Sequence, residues 1–172
     1  MEWRNIILRI SVVVTTYNGK MHLEKQLLSL LQQERAPDEV LIFDDGSTDG
    51  TIELVQSFIR KNCLESWQFY VNAKRKGWKQ NFMEGLRKAA GDILFPCDQD
   101  DIWYPKKLAE MTAVMEQHPE IKLLACDYRV IYESGALKAT VYKKTPAETQ
   151  GLITRYGFTK HFFMNPYPGC TY

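Results

Sequence analysis

"EVLIFDDGSTDGTIELVQSFIRK", residues 39–61, changes its apolar period halfway along. Val40 to Phe43 are apolar without interruption, as in a strand covered on both faces. From Thr51 onward the apolar positions are Ile52, Val55, Phe58 and Ile59, which share one face of a helix. Between the two lies "DDGSTDG" (44–50), made of turn-forming and helix-starting residues. A buried strand, a short polar loop and an amphipathic helix make half of a βαβ unit.

The alternation extends in both directions. "ILRISVVVTT" (7–16) is a β-branched run ended by Tyr17-Asn18-Gly19. "HLEKQLLSLLQQ" (22–33) follows, with Leu23, Leu27, Leu30 and Leu31 at helical spacing. Downstream come a strand "WQFYV" (67–71), a helix "KQNFMEGLRKAA" (79–90) and a strand "DILFPCD" (92–98). A helix "PKKLAEMTAVMEQH" (105–118) and a fifth strand "IKLLACDYRVIY" (121–132) complete the series. The predicted fold is α/β and Rossmann-like, a mostly parallel sheet with right-handed crossovers and helices on both faces. From about 133 the pattern loosens, and a chain stopping on "NPYPGCTY" reads as the front portion of something longer.

The 172 residues are 45% hydrophobic and 25% charged, the composition of one soluble globular domain. A net charge of +1 supplies no long-range field for nucleic acid or for an anionic membrane. Cys63, Cys97, Cys126 and Cys170 form no CxxC pair, which argues against a zinc site and against a disulfide framework. His22, His118 and His161 are isolated and lack ligand spacing. The amino-terminal residues lack the features of a signal peptide, and no apolar run approaches the ~20 residues that span a bilayer. The expected location is cytoplasmic.

Ligands of an open parallel sheet bind beyond the carboxyl ends of its strands. "TTYN" (15–18), "DDGSTDG" (44–50) and "DQDD" (98–101) each follow a strand directly, so all three are expected on one edge. The first also reads as a strand end and turn, and the second as a turn with an N-cap at Asp49 or Thr51. The second imitates a calcium loop at Asp45, Ser47, Asp49, Gly50 and Ile52. Gln56 in place of the bidentate Glu, and a strand leading in, argue against that reading. In "DQDD", extended backbone would turn Asp98 and Asp100 one way and Gln99 and Asp101 the other. Neighbouring carboxylates repel unless a cation intervenes, and Mg²⁺ or Mn²⁺ takes one or two carboxylates plus substrate phosphates. A solvated turn with capping aspartates is the alternative. GxGxxG and GxxxxGK[ST] are both absent, which removes dinucleotide binding and P-loop chemistry.

"SVVVTTYNG", "VLIFDDGSTDGT", "KGWKQNF" and "ILFPCDQDDIWYPKKL", in this order and spacing, resemble the family 2 inverting glycosyltransferases of GT-A fold. The resemblance covers roughly residues 9–132 and reaches to "PGC" (168–170). "DQDDIW" is similar to the version found in rhamnosyltransferase-like bacterial enzymes. The resemblance implies a donor-nucleotide and metal half over about 1–101 and the start of an acceptor half over about 102–172. It implies a pyrimidine nucleoside-diphosphate sugar, UDP- or dTDP-linked and including dTDP-rhamnose, held near Thr15, Tyr17 and Asn18. Tyr17 would lie against the base, and Asp45, with Asp44 beside it, would accept its hydrogen bond. Gly77, Lys79 and Asn81 would close over the nucleotide. Asp100 would ligate Mn²⁺ or Mg²⁺, and Asp98 would contact the ribose or a metal-bound water. Asp101 and Trp103 would face the donor sugar or order the loop.

The resemblance also implies a glycan or lipid-linked acceptor in cell-surface polysaccharide synthesis. Work at the inner face of the bacterial membrane, with peripheral association, follows from that acceptor. Inversion needs a general base, which the family places after "PGC". No residue up to Tyr172 is assigned that role. The basic run "KRKGWK" (74–79) reads as a solvated loop or as an attractor of phosphate. A non-catalytic nucleotide-sugar or metal-binding module is the rival reading. A nucleotidyltransferase is a third, but "TTYNGK" lacks the basic triphosphate loop expected after its first strand.

Overall fold

The computed structural model describes residues 7–126 and the backbone of 130–131 and 137–138. Strands β1 (Ile10–Thr16) and β2 (Glu39–Asp44) are buried along their whole length, as uninterrupted apolar runs require. With β3 (Trp67–Val71) and β4 (Ile93–Asp98) they form a fully parallel sheet in the order β3-β2-β1-β4. The chain runs outward from β1 to β3 and then crosses back to lay β4 on the far side of β1. The strand order therefore reverses between β1 and β4, where open sheets leave a crevice at the carboxyl edge.

Helices α1 (Lys20–Leu31), α2 (Thr51–Lys61), α3 (Trp78–Lys88) and α4 (Lys107–Gln117) connect or follow the strands. Alternation along β1 sorts them onto two faces. Val13, with Leu41 and Phe43, is covered by Phe82, Leu86 and Ala89 in and beside α3 and by Tyr70 of β3. On the other face, Val14 lies beside Cys97, whose sulfur meets Gln26 of α1. Leu23, Leu27 and Leu30 of α1 are fully buried. Each such side chain is worth roughly 1.5–3 kcal/mol. Together they outweigh the ~1 kcal/mol lost because α1 has no side-chain N-cap bond.

The sheet's amino edge is closed by a polar lock. Ser11 Oγ donates to Glu39, which also accepts the Ala90 N–H at 2.6 Å, while the Gly91 N–H donates to Ser11 Oγ at 2.7 Å. β1, β2 and the link from α3 to β4 are thereby tied at the end away from the loops of interest.

The predicted fifth strand differs. Residues 121–126 are irregular, and Leu123 is 65% exposed. An apolar run becomes a buried strand only where a second layer covers it, and none of the described residues covers Leu123. β5 (Val130–Ile131) and β6 (Leu137–Lys138) pair antiparallel, within a second compact unit that begins at Ala125. The remainder of 127–172 lies outside the described residues.

Gly85 is where α3 comes closest to the sheet. A Cβ there would sit 2.3 Å from Val13 Cγ1 and 3.2 Å from the Phe43 ring. Gly85→Ala gains up to ~1 kcal/mol of helix propensity but costs about 1–3 kcal/mol of overpacking. The variant is expected to unfold at lower denaturant concentration than the parent, with an unchanged m-value.

Candidate functional site

The three predicted loops meet at the carboxyl edge, and register brings them into line. Thr16 lies opposite Asp44 and Thr15 opposite Asp98. Asp44 is fully buried, and its Oδ1 accepts the N–H groups of Gly46 at 3.0 Å and Ser47 at 2.7 Å. Its Oδ2 accepts Thr16 Oγ1 at 2.7 Å and Ser47 Oγ at 2.5 Å. Two oxygens offer about four acceptor positions, so Asp44 has none left for a ligand. Its work is to fold the β2–α2 loop onto the end of β1.

Further bonds join the first two loops. The Asn18 N–H donates to Ser47 Oγ at 2.8 Å, and Asn18 Oδ1 accepts the Thr48 N–H at 2.9 Å. Asn18 is left-handed at φ 47°, a conformation that Asn tolerates better than most residues. The Gly19 N–H donates to Thr51 Oγ1 at 3.0 Å. Asp49 accepts the N–H groups of Thr51 at 3.0 Å and Lys20 at 3.1 Å, joining the starts of α2 and α1.

Asp45 is only 3% exposed but differs from its neighbour in one respect. Oδ1 accepts Asn72 Nδ2 at 3.1 Å and the Lys76 N–H at 2.7 Å, while Oδ2 accepts only the Gly77 N–H at 2.8 Å. One acceptor position remains on Oδ2, on the side where Arg75 Nε stands 3.9 Å away. Burial pushes the Asp45 carboxyl up, but the Lys76 and Gly77 N–H groups, with Asn72 and Arg75, outweigh it and hold the group below the usual range. Asn81 supports this from beneath: its Nδ2 donates to the Phe43 carbonyl at 2.8 Å and its Oδ1 accepts Asn72 at 2.8 Å. Asn81 is 1% exposed, with its Oδ1 taken by Asn72. Lys79 is exposed beside Trp78. The Arg75 guanidinium lies over the Tyr17 ring, 3.9 Å from its centroid.

The acid loop has the opposite character. β4 ends at Asp98 and the chain turns at residues 99–100, so the extended alternation predicted for "DQDD" stops there. Gln99 does turn away from the acids, but Asp101 stays within their field. Burial, then Asp98 and Asp100, push the Asp101 carboxyl up to about 6, against a pull from Lys107. Burial and then Asp100 raise Asp98 as well. Asp101 Oδ2 is buried without a hydrogen-bond partner, and Asp100 is exposed. Trp103, at 5% exposure, is enclosed: its N–H backbone donates to Ser29 Oγ at 3.0 Å, its ring tilts against Phe95, and Lys107 Nζ covers it at 4.0 Å.

A divalent cation fits this donor set. The oxygens are hard, their charge is under-compensated, and one buried oxygen is orphaned. Among the described residues no three side chains of metal-ligating type converge on one point.

Sequence reasoning did not give Gln99 or Asn72 a role, met Ser47 only in the rejected calcium-loop reading, and met Arg75 only within the basic run 74–79. Gln99 carried a faint signal as the one uncharged position inside an acid run. Asn72 and Arg75 meet Asp45 and Tyr17 from far along the sequence, and Ser47 joins its local partner Asp44 to the distant Asn18, so no local pattern points to these contacts.

A family model described as "Glycosyl transferase family 2" matches residues 11–164. The glycosyltransferase MG060 homolog of Mycoplasma pneumoniae is 31% identical over 137 residues, covering 78% of this chain and 46% of its own. The poly(ribitol-phosphate) beta-N-acetylglucosaminyltransferase TarS of Staphylococcus aureus is 28% identical over 159 residues, covering 89% of this chain and 26% of its own. Among solved structures, the mannosyltransferase PcManGT of Pyrobaculum calidifontis, in complex with GDP-Man and Mn²⁺, matches with a TM-score of 0.60 at 27% identity. That match covers 64% of this chain and 33% of PcManGT. S. aureus TarS in complex with UDP-GlcNAc gives a TM-score of 0.59 at 28% identity, covering 65% of this chain and 32% of its own. The chain spans about a quarter to a half of the length of the curated relatives it matches. Both structural matches have the GT-A glycosyltransferase architecture expected from the sequence, an α/β fold built on this parallel sheet.

The raised Asp101 carboxyl has a consequence for stability. Folded Asp101 holds its proton up to about pH 6, against an ordinary value of 3.8. The folded state binds more protons in that window, so stability falls as pH rises through it. In EDTA, Asp101→Asn is expected to be more stable than the parent at about pH 7, with the gap closing toward about pH 4. A gap of constant size by denaturant titration at both pH values would contradict this.

Proposed function

The chain belongs to glycosyl transferase family 2, and from that premise we propose a specific use for this sheet edge. It binds a pyrimidine nucleoside-diphosphate sugar, UDP- or dTDP-linked, together with Mn²⁺ or Mg²⁺. The sugar passes with inversion to a glycan or lipid-linked acceptor in cell-surface polysaccharide synthesis, on the cytoplasmic side of the bacterial membrane. Residues 1–101 form the donor half and 102–172 begin the acceptor half. Association with that surface is proposed to be peripheral; no helix among the described residues is long and apolar enough to cross a membrane.

The observation that carries the proposal is an electrostatic contrast along one edge. Asp44 and Asp45 are supplied with donors, whereas Asp98 and Asp101 are raised and short of them. The base fits the first group. Its ring lies along Tyr17, and its N–H takes the remaining acceptor position on Asp45 Oδ2. Arg75 stands at both places, but its side chain is 64% exposed and its approaches to Tyr17 and Asp45 are both 3.9 Å, so it yields at small cost. Thr15 and Asn18 are assigned to the same end of the nucleotide by the resemblance alone.

The diphosphate fits the second group. Asp100, which is exposed, would hold the cation, with Asp98 toward the ribose or a bound water. The cation, when bound, neutralises charge developing on the leaving diphosphate. Asp101 and the enclosed Trp103 shape the loop from beneath. All three loop acids lie on the donor side, so none is assigned as the base that takes the acceptor's proton. PcManGT was solved with GDP-Man and Mn²⁺ and TarS with UDP-GlcNAc, which supports a nucleotide-sugar donor. The pyrimidine and rhamnosyl assignments rest on the resemblance of Tyr17, Asp45 and "DQDDIW".

The test is a thermal-shift panel of UDP-, dTDP- and GDP-sugars, dTDP-rhamnose included, with Mn²⁺ or EDTA. A matching donor at 100 times its Kd is expected to raise the melting temperature by about 5–10 °C, and only with metal. Asp100→Ala is expected to remove the metal-dependent part. Stabilisation indifferent to metal, or by GDP-sugars alone, would overturn the cation and donor assignments respectively.

A further inference from the structure

Gln99 interrupts the acid run with an uncharged side chain that points away from the acids. Its Oε1 accepts the Tyr17 N–H at 2.8 Å, and its Nε2 donates to the Tyr17 carbonyl at 3.2 Å. β1 ends at Thr16 and β4 at Asp98, with Thr15 opposite Asp98 as the last pair of the ladder. The Gln99 carboxamide thus supplies one more rung: it satisfies both main-chain groups of the first residue beyond β1, which a strand end otherwise leaves open. Few side chains can do this. A planar group bearing both a donor and an acceptor is required, which excludes Glu and Lys, and Asn is one methylene shorter.

The room for the rung comes from Gly19. A Cβ at Gly19 would lie 2.1 Å from Gln99 Oε1 and 2.5 Å from Cδ. Gly19 has an ordinary φ of −106°, so the backbone does not demand glycine there. Proximity to Gln99 does. Two positions 80 residues apart are therefore matched to one contact.

We propose that Gln99 is a positioning residue that couples the cation-binding carboxylates to the base-binding ring. The inference rests on the nucleotide and metal reading of the site. Gln99 lies between Asp98 and Asp100, and its amide holds the peptide groups on both sides of Tyr17. Fixing the acid loop on a cation thus fixes the main chain that aims Tyr17, and a base on Tyr17 in turn orders the acid loop. Such coupling is reciprocal by linkage.

The experiment measures UDP and dTDP affinity by calorimetry, in EDTA and in Mn²⁺, for the parent, Gln99→Ala, Gly19→Ala and the double variant. Melting of the ligand-free proteins is followed alongside. The expected result is that Gln99→Ala keeps most of its metal-free affinity but loses roughly tenfold of the Mn²⁺-dependent gain. Gly19→Ala is expected to do the same, since its methyl displaces the flexible end of Gln99. The double variant is expected to be no worse than either single one, because both remove one contact. An undiminished Mn²⁺-dependent gain in Gln99→Ala would overturn the coupling. So would additive losses, or equal weakening with and without metal alongside a lower melting temperature, which is the mark of a merely structural bond. If the parent binds neither nucleotide in a metal-dependent way, the reading of the site falls first. If the parent does and the variants match it, only the role of Gln99 falls.

Discussion

A carboxyl group with no exposed surface, Asp44, sets the geometry of the whole edge. A buried polar group that goes unpaired costs several kcal/mol, so such a group is stable only when its surroundings supply donors. Here the donors are Thr16 on the neighbouring strand and Gly46 and Ser47 of the loop. Meeting that requirement turns the chain back over the ends of β1 and β2. Ser47 also receives the Asn18 N–H, so the β1 loop is drawn in by the same residue. The loops that face solvent are therefore held by an interaction that never reaches solvent.

From that anchor the edge divides by electrostatic character. Asp45 stands next to Asp44 but keeps one open acceptor position, backed by Asn72, Asn81 and the main chain of 76–77. It suits a neutral N–H donor. Across β1 the acid loop is built the other way, with carboxyls that raise one another and a Lys107 that offsets them incompletely. It suits a cation and what a cation brings. A nucleoside diphosphate has a neutral hydrogen-bonding end and an anionic end, and the two groups of acids present those two demands in the same order.

Much of this was legible in the sequence, and the exceptions share a cause. The first four strands and the four helices fall within a few residues of their periodic patterns, because burial on two faces or one writes itself into apolar spacing. "IKLLACDYRVIY" has a strand's composition, yet 121–126 lack a covering layer, and composition cannot reveal what is absent opposite. At the site, strand-end position marked out the three loops. It could not separate Asp44 from Asp45, since adjacent identical residues differ only in who donates to them. Nor could it show Asn81 facing the Phe43 carbonyl or Gln99 facing Tyr17, because main-chain partners carry no residue signature.

The distribution of unmet hydrogen bonds sharpens the contrast. Gln26 spends its Nε2 on the Cys97 sulfur and leaves Oε1 buried without a partner, and Asp101 Oδ2 and Trp103 Nε1 are orphaned too. These three belong to the acid loop or to the α1 side chain bonded to the strand that delivers it, while Arg35 Nε and Thr112 Oγ1, also unpartnered, lie elsewhere. None of the orphaned atoms belongs to the β2–α2 loop. Burial pushes the Cys97 thiol well up, so that sulfur is a poor nucleophile and serves as a weak acceptor in a dry floor. A protein optimised only for stability would have filled these positions with apolar groups, since an unpaired polar atom is worse than none. The orphaned oxygen of Asp101 follows if that loop's charge is meant to be balanced by a ligand rather than by the fold. The satisfied β2 loop then serves as the rigid half of the edge, and the acid loop as the half whose energy falls when the site fills.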